Sequence, residues 1–215
     1  MRYELLALPL LLACSASPPA PVPVPPRQAP VTGDAPTVAA FRAHAAQRLA
    51  IPPATLDDDT SYIRGKHDHG AARAVLMRTQ DARHLEVRGW ATDAGAVITP
   101  DHNLGLLFVE AGTWSQPPHA KLDDLAITLA DDLVWSYGEG ASVESSNGFP
   151  YPALTLADDG SGTLVFYSST ETSDPIPAPH ATGGGAGQFT FQDTVTLTAD
   201  HQATLTRQSF TPPHR

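Results

Sequence analysis

Apolar residues recur at helical spacing in residues 37–49. The apolar positions are Val38, Phe41, Ala45 and Leu49. Thr37 can cap the start, and Ile51, Pro52 and Pro53 end the pattern, because proline cannot continue a helix. This pattern predicts an amphipathic helix.

A second and clearer helical pattern follows Pro117 and Pro118. Its apolar stripe is Leu122, Leu125, Ala126, Leu129 and Leu133, with Val134 and Tyr137 beside it. Gly138 stands where a C-terminal cap belongs. Two of its aspartates, Asp123 and Asp124, are predicted in the first turn, where the helix dipole favours acids. The other two, Asp131 and Asp132, are predicted to face solvent.

Short segments with alternating or β-branched residues predict antiparallel strands between and after these helices. The predicted strands are 61–64, 72–80, 85–92, 104–109, 153–157, 163–168, 188–198 and 202–210. The predicted turns are 57–59, 65–70, 93–95, 158–162 and 199–201. Residues 174–187 are rich in proline and then glycine, which predicts a loop.

The element order predicts an α+β fold with two amphipathic helices packed on antiparallel sheet. A helix followed by strands occurs twice, so the halves 37–116 and 117–215 are candidate sub-domains. Each half could form its own cystatin-like arrangement, or both could share one sheet. The halves show no sequence identity that would prove a duplication.

The N-terminus carries a short apolar run, residues 5–12, behind a single positive charge on Arg2. It closes on Leu11, Leu12, Ala13 and Cys14, the only cysteine among the 215 residues. This stretch resembles the lipobox of bacterial lipoproteins, which has an aliphatic residue three before the cysteine and a small one before it. The resemblance implies a signal peptide at 1–13, and a Cys14 that carries a diacylglyceryl thioether and an acylated amine.

The same resemblance implies an envelope location, anchored by lipid and facing the periplasm or the surface. Ser15, where the family's inner-membrane retention signal has aspartate, favours the outer membrane. Residues 14–36 contain eight prolines and favour an extended spacer that reaches up to roughly 70 Å at about 3.1 Å per residue. The globular α+β domain is predicted to occupy residues 37–215.

Composition restricts the partners of this domain. The net charge is −10 and the only lysines are Lys66 and Lys121. This argues against nucleic acid and against an anionic membrane surface as partners, because both attract basic patches. The membrane is therefore predicted as a partner through the lipid on Cys14 alone. An envelope protein or cell-wall component is the second kind of partner, and no cofactor is predicted.

Candidate chemistry is sparse. His67 and His69 stand two residues apart and on a strand would share one face, as zinc ligands often do. Spacing fixes no third ligand, and the flanking Gly65 and Gly70 favour a solvated turn. The other histidines, among them His44, His102, His119, His180 and His214, form no motif.

The remaining candidates are explained by structure rather than chemistry. The glycine run at 183–187 lacks the lysine and the following helix of a phosphate-binding loop, and a loop or hinge is predicted there. The three tryptophans, Trp90, Trp114 and Trp135, are predicted in the core. No nucleophile elbow or zinc-protease motif occurs in the sequence.

Three functional hypotheses follow. The favoured one is a lipid-anchored envelope protein that displays a non-catalytic binding domain. The second is an envelope hydrolase whose histidines and aspartates meet only in the fold. The third is a metal-handling lipoprotein built on His67 and His69. A cleft that joins histidines with carboxylates would favour the second and third hypotheses.

Overall fold

The computed structural model describes residues 35–63, 65–81, 84–115, 119–145, 148–170 and 189–211. The predicted signal peptide, Cys14, almost all of the predicted proline-rich spacer, and the predicted loop at 174–187 lie outside these ranges. Within them, no helix has both the length and the apolar character that crossing a bilayer requires.

Helices and antiparallel strands occur together in the described chain, which confirms the predicted α+β class. The helices are α1 (Pro36–Leu49), α2 (Leu104–Glu110) and α3 (His119–Ser136). The strands are β1 (Leu56–Asp58), β2 (Ala72–Thr79), β3 (Glu86–Thr92), β4 (Val97–Ile98), β5 (Ser142–Val143), β6 (Ala153–Leu156), β7 (Gly162–Thr170), β8 (Phe189–Leu197) and β9 (Ala203–Ser209).

The N-terminal sheet has the order β1-β2-β3-β4, and α1 packs against one of its faces. The stripe predicted for α1 is confirmed, since Phe41 and Ala45 are fully buried against alternate residues of β2 and β3. The predicted cap is wrong. Thr37 lies inside the helix, Ala35 occupies the cap position, and no side chain caps the first turn.

The C-terminal sheet has the order β5-β7-β8-β9, and β6 also pairs with β7. The predicted hairpins β6–β7 and β8–β9 are both confirmed. One hydrophobic core joins the second face of the N-terminal sheet, α2, α3 and the inner face of the C-terminal sheet. Residues of both sequence halves therefore share one core, with α3 in contact with strands of both sheets.

Three local predictions are wrong. Residues 104–109 form α2 rather than a strand, because Leu104, Leu107 and Phe108 are buried at helical spacing. Gly105 lets this helix approach the β8–β9 turn, where an added Cβ would lie 2.2 Å from the carbonyl oxygen of His201. Residues 60–62 form a 3₁₀ turn instead of a strand. Two residues of the predicted acidic turn at 57–59 belong to β1.

Candidate functional site

The loop between the 3₁₀ turn and β2, residues 65–71, is held at several points; we call it the histidine loop. Asp68 accepts a hydrogen bond from the backbone N–H of Ala74 at 2.9 Å, and Glu110 accepts one from Ala71 at 2.7 Å. Gly70 has φ of 49°, and a Cβ there would lie 3.0 Å from the carbonyl oxygen of Glu110. Glycine therefore suits both the backbone conformation and the close approach of α2.

The two histidines of this loop meet a carboxylate that is distant in sequence. Nδ1 of His67 donates to Oδ1 of Asp132 at 2.6 Å, and Nε2 of His69 donates to Oδ2 of the same group. The side chains of His67 and His69 are only 20% and 12% exposed, and that of Asp132 is 4% exposed. The predicted turn is present, and Gly65 and Lys66 are exposed, but the prediction that its imidazoles are solvated is wrong.

Asp132 was predicted on the solvent face of α3, and this prediction is also wrong. It lies three residues after Leu129, a position that shares the apolar face at 3.6 residues per turn. Its neighbour Asp131 is exposed, as predicted. The helical periodicity therefore already indicated that Asp132 is buried, and a buried acid within the apolar stripe requires a partner. Asp123 and Asp124 likewise lie beyond the first turn, since α3 begins at His119.

The electrostatics of the cluster favour an ionised Asp132. Burial alone would raise the pKa of Asp132, but hydrogen bonds from His67 and His69, with their charge interactions, bring its pKa below the usual value. Burial and the charge of Asp132 raise the pKa of the neighbouring Asp131, which His67 partly opposes. Because the Asp132 carboxylate only accepts hydrogen bonds, it fixes a proton on Nδ1 of His67 and on Nε2 of His69.

Aromatic and cationic side chains fix the surroundings of His67. Its ring stacks on Trp135 with centroids 4.5 Å apart, and its carbonyl oxygen accepts a hydrogen bond from Nε1 of Trp90 at 2.7 Å. Arg88 lies over Trp135 at 6.0 Å and donates to Glu86 at 2.9 Å. Trp90 is fully buried, as predicted, whereas Trp114 and Trp135 are partly buried at the edge of the core.

A cleft of about 330 Å³ opens beside this cluster, between the end of α3 and β5. Its lining includes Arg88, Asp131, Trp135, Glu139 and Ser142. Two of these, Trp135 and Asp131, interact directly or through charge with His67. The histidine cluster therefore borders an accessible cleft. The cleft itself contains two exposed carboxylates, and its guanidinium is already paired with Glu86.

The side chains of the histidine cluster are arranged for hydrogen bonding rather than for metal binding. Each imidazole meets a different oxygen of Asp132, whereas a metal ion requires its ligands to converge on one point. Across the described ranges, no three histidine, cysteine, aspartate or glutamate side chains are arranged to hold a metal ion. The metal role of His67 and His69 stays a prediction for experiment.

A second histidine pair lies away from this cleft. His44 of α1 stacks on His102 with ring centroids 5.7 Å apart, although the sequence suggested no link between them. Burial, followed by the charges of His102 and Arg48, lowers the pKa of His44, and Asp101 opposes this shift. Of the other histidines, His180 and His214 lie outside the described residues, as does the side chain of His119.

A buried charged network lies on the inner face of the C-terminal sheet; we call it the arginine cluster. It consists of Arg207, Asp193, Ser168 and Tyr137. Nε of Arg207 lies 3.0 Å from Oδ1 of Asp193 without hydrogen-bond geometry, and Nη2 donates to Ser168 at 2.7 Å. The guanidinium lies between the rings of Tyr137 and Phe191, at 4.4 and 4.2 Å.

This cluster is enclosed. The side chain of Arg207 is 1% exposed and that of Asp193 is fully buried. Burial raises the pKa of Asp193, although Arg207, Ser168 and Tyr137 act in the opposite direction. Burial also raises the pKa of Tyr137 well above its ordinary value, so Tyr137 stays a neutral phenol. Such a network holds β7, β8, β9 and the residue after α3 together and offers no access to a substrate.

Of the two clusters, the histidine cluster is thus the one whose side chains could carry out a reaction. An imidazole with Nδ1 tied to a buried carboxylate can transfer protons through its other nitrogen, as general bases do. No hydrogen-bonding nucleophile contacts His67 within the described part of the chain.

No known protein family matches this chain, and neither a curated protein nor a solved structure is significantly similar to it.

Proposed function

We propose that this chain is a lipid-anchored protein of the bacterial cell envelope. The support is Leu11, Ala13 and Cys14 at the lipobox positions, followed by a proline-rich spacer that can hold a domain away from a bilayer. A Cys14→Ser change removes the acceptor sulfur. Metabolic labelling with a fatty-acid analogue should then mark the wild-type chain and leave the variant unlabelled. Equal labelling of both chains would refute lipid attachment at Cys14.

The folded domain acts in this proposal as a binding module, with the cleft beside Trp135 as its site. The observation that carries it is the pairing pattern of the lining charges. Glu86 holds Arg88, while Asp131 and Glu139 are exposed in the cleft. A small ligand that carries an amino group would complete this charge arrangement, and the edge of Trp135 would contact its apolar part.

Thermal melts with a defined ligand set test the binding module. Putrescine, lysine and glucosamine serve as amino-bearing ligands, and succinate serves as the anionic control. A ligand that binds only the folded chain raises its melting temperature as its concentration exceeds the dissociation constant. We expect a rise with at least one amino-bearing ligand and none with succinate.

Matched variants separate cleft binding from general charge effects. Asp131→Asn and Glu139→Gln should reduce the ligand-induced rise, and Asp124→Asn, an exposed acid elsewhere on α3, should preserve it. If all three variants respond like the wild type, the ligand does not bind in this cleft.

A second candidate function is hydrolysis with His67 as the general base. The specific observation is the 2.6 Å hydrogen bond between Nδ1 of His67 and Asp132, because this contact orients the ring and leaves Nε2 for proton transfer. A panel of nitrophenyl esters, phosphates and glycosides tests it. Turnover should fall strongly in both His67→Gln and Asp132→Asn, and be unchanged in His84→Asn, which alters an exposed histidine. Absence of turnover on the panel, or turnover that survives His67→Gln, leaves the binding module as the better proposal.

A further inference from the structure

The outer face of the C-terminal sheet carries rows of hydroxyl and amide side chains. Strand register aligns one threonine from each of four neighbouring strands: Thr155, Thr163, Thr196 and Thr204. The adjacent row is Ala153, Val165, Thr194 and Thr206, and the next is Tyr167, Gln192 and Gln208. Alternation places these side chains opposite the core residues Leu164, Phe166, Val195 and Leu197.

None of the positions in these three rows is charged, although the chain has a net charge of −10. Thr155, Thr196, Thr204 and Thr206 are exposed, and Thr163 and Thr194 are half-buried. The hydroxyls of Thr155 and Thr163 lie 3.0 Å apart. The face therefore presents many groups that both donate and accept hydrogen bonds, without a charge to select an ion.

Two further features make this face more than a flat solvated surface. A groove of about 520 Å³ opens beside the threonine row, and its lining combines Thr155, Thr163 and Thr196 with apolar residues such as Leu156 and Leu197. Near the third row, the rings of Tyr167 and Phe210 lie 4.8 Å apart, and Phe149 packs against both. Hydroxyl rows, a groove and aromatic rings thus share one side of the molecule.

We propose that this face binds a neutral polysaccharide. The hydroxyls of such a polymer would exchange hydrogen bonds with the threonine and glutamine side chains, and its apolar ring faces would contact the aromatic rings. Neighbouring strands are spaced by about 4.8 Å, so a polymer that follows the threonine row meets a hydroxyl group at each of the four strands. The identification of this polymer as a cell-wall component rests on the proposed envelope location, whereas the binding chemistry does not.

Co-sedimentation of the purified full chain with insoluble polysaccharides tests the proposal. Chitin and cellulose are the neutral probes, peptidoglycan sacculi represent the cell wall, and a sulfated agarose resin is the charged control. The wild-type chain should sediment with at least one neutral probe and stay in solution with the sulfated resin. If it sediments with none of the neutral probes, the proposal is wrong.

Two substitutions locate the binding face. Thr196→Glu adds a charge at the centre of the threonine row, and we expect binding about tenfold weaker, a difference of about 1.4 kcal/mol. Thr128→Glu makes the same change on the exposed face of α3 and should bind like the wild type. Thr196→Val removes the hydroxyl group, keeps the shape of the side chain and should also weaken binding. This variant keeps the test valid if the charged variant misfolds.

Equal binding by Thr196→Glu, Thr128→Glu and the wild type would place the interaction elsewhere and overturn the assignment of this face. The result is independent of lipid attachment. Failure of the Cys14 labelling experiment would remove the envelope proposal, but it would leave polysaccharide binding by this sheet intact.

Discussion

The histidine cluster and the arginine cluster both bury a carboxylate, yet they differ in what surrounds it. Asp193 of β8 meets partners from the two neighbouring strands and from Tyr137, the residue that follows α3, and its arginine is enclosed. Asp132 meets two imidazoles of one loop, and one of these, His67, stacks on Trp135, which lines a cleft. A buried carboxylate therefore does not by itself mark a functional site. Access to its partners distinguishes the two.

The two buried carboxylates also differ in the direction in which their pKa is shifted. Hydrogen bonds from two imidazoles bring the pKa of Asp132 below its usual value despite burial. For Asp193, burial outweighs the contacts with Arg207, Ser168 and Tyr137, and its pKa is raised. In the arginine cluster, burial therefore disfavours the ionised form of the carboxylate, whereas the histidine cluster favours an ionised carboxylate at the border of the core.

The largest effect is expected from Arg207→Met. This change leaves Asp193 buried without its cation, and loss of one partner of a buried pair costs about 3–5 kcal/mol. Denaturant melts give the free energy of unfolding. Arg73→Met serves as the control, because Arg73 is 51% exposed and its pair with Asp68 at 3.4 Å contributes at most about 1 kcal/mol.

A double variant, Arg207→Met with Asp193→Leu, sharpens this result. Removing both charges should recover part of the lost stability, since an apolar replacement of a buried pair is often close to neutral. If Arg207→Met alone unfolds no more easily than Arg73→Met, the arginine cluster does not stabilise the C-terminal sheet.

A smaller effect is expected from Asp132→Asn. The amide cannot accept from both imidazoles, so one donor loses its acceptor at a cost of about 1–3 kcal/mol. The adjacent Asp131→Asn changes an exposed acid and should stay within about 0.5 kcal/mol of the wild type. Equal stability of both variants would mean that the histidine loop is not held through Asp132.

Asp132 also shows how far the sequence could be read. Periodicity predicted α1, α3 and the long hairpins, because their apolar positions repeat over many residues. It failed at α2, where a short run of leucines and phenylalanine fits strand and helix alike. It also failed at the histidine loop. The contact with Asp132 spans more than sixty positions of sequence, and no local pattern encodes it.

Acid titration separates the two carboxylates by the sign of their effect. Asp132 has a lowered pKa in the folded chain, so its stabilising contribution is complete above about pH 4, the ordinary value, and is lost as the pH falls through its folded value. Asp193 has a raised pKa, so its folded state gains protons first. Its contribution is complete below about pH 4 and is lost as the pH rises through the folded value.

Stability curves measured between pH 3 and pH 7, roughly the range over which carboxyl groups titrate, should show this difference. On acidification, the difference in free energy of unfolding between the wild type and Asp132→Asn should narrow, because the wild type loses the contribution of its ionised Asp132. The difference between the wild type and Asp193→Asn should widen, with the wild type the more stable. Parallel changes in both differences would contradict the opposite pKa directions.

The last prediction concerns metal ions, and we expect that adding or removing them leaves the melting temperature unchanged. If His67 and His69 held a structural ion, the melting temperature of the full chain would depend on chelator or added zinc, because metal bonds contribute to folding. The nitrogens that face Asp132 instead donate to separate carboxylate oxygens. Melts with chelator and with excess zinc should therefore superimpose. A shift of several degrees that disappears in the His67→Ala, His69→Ala double variant would replace the hydrogen-bonded cluster with a metal site and favour the metal-handling hypothesis.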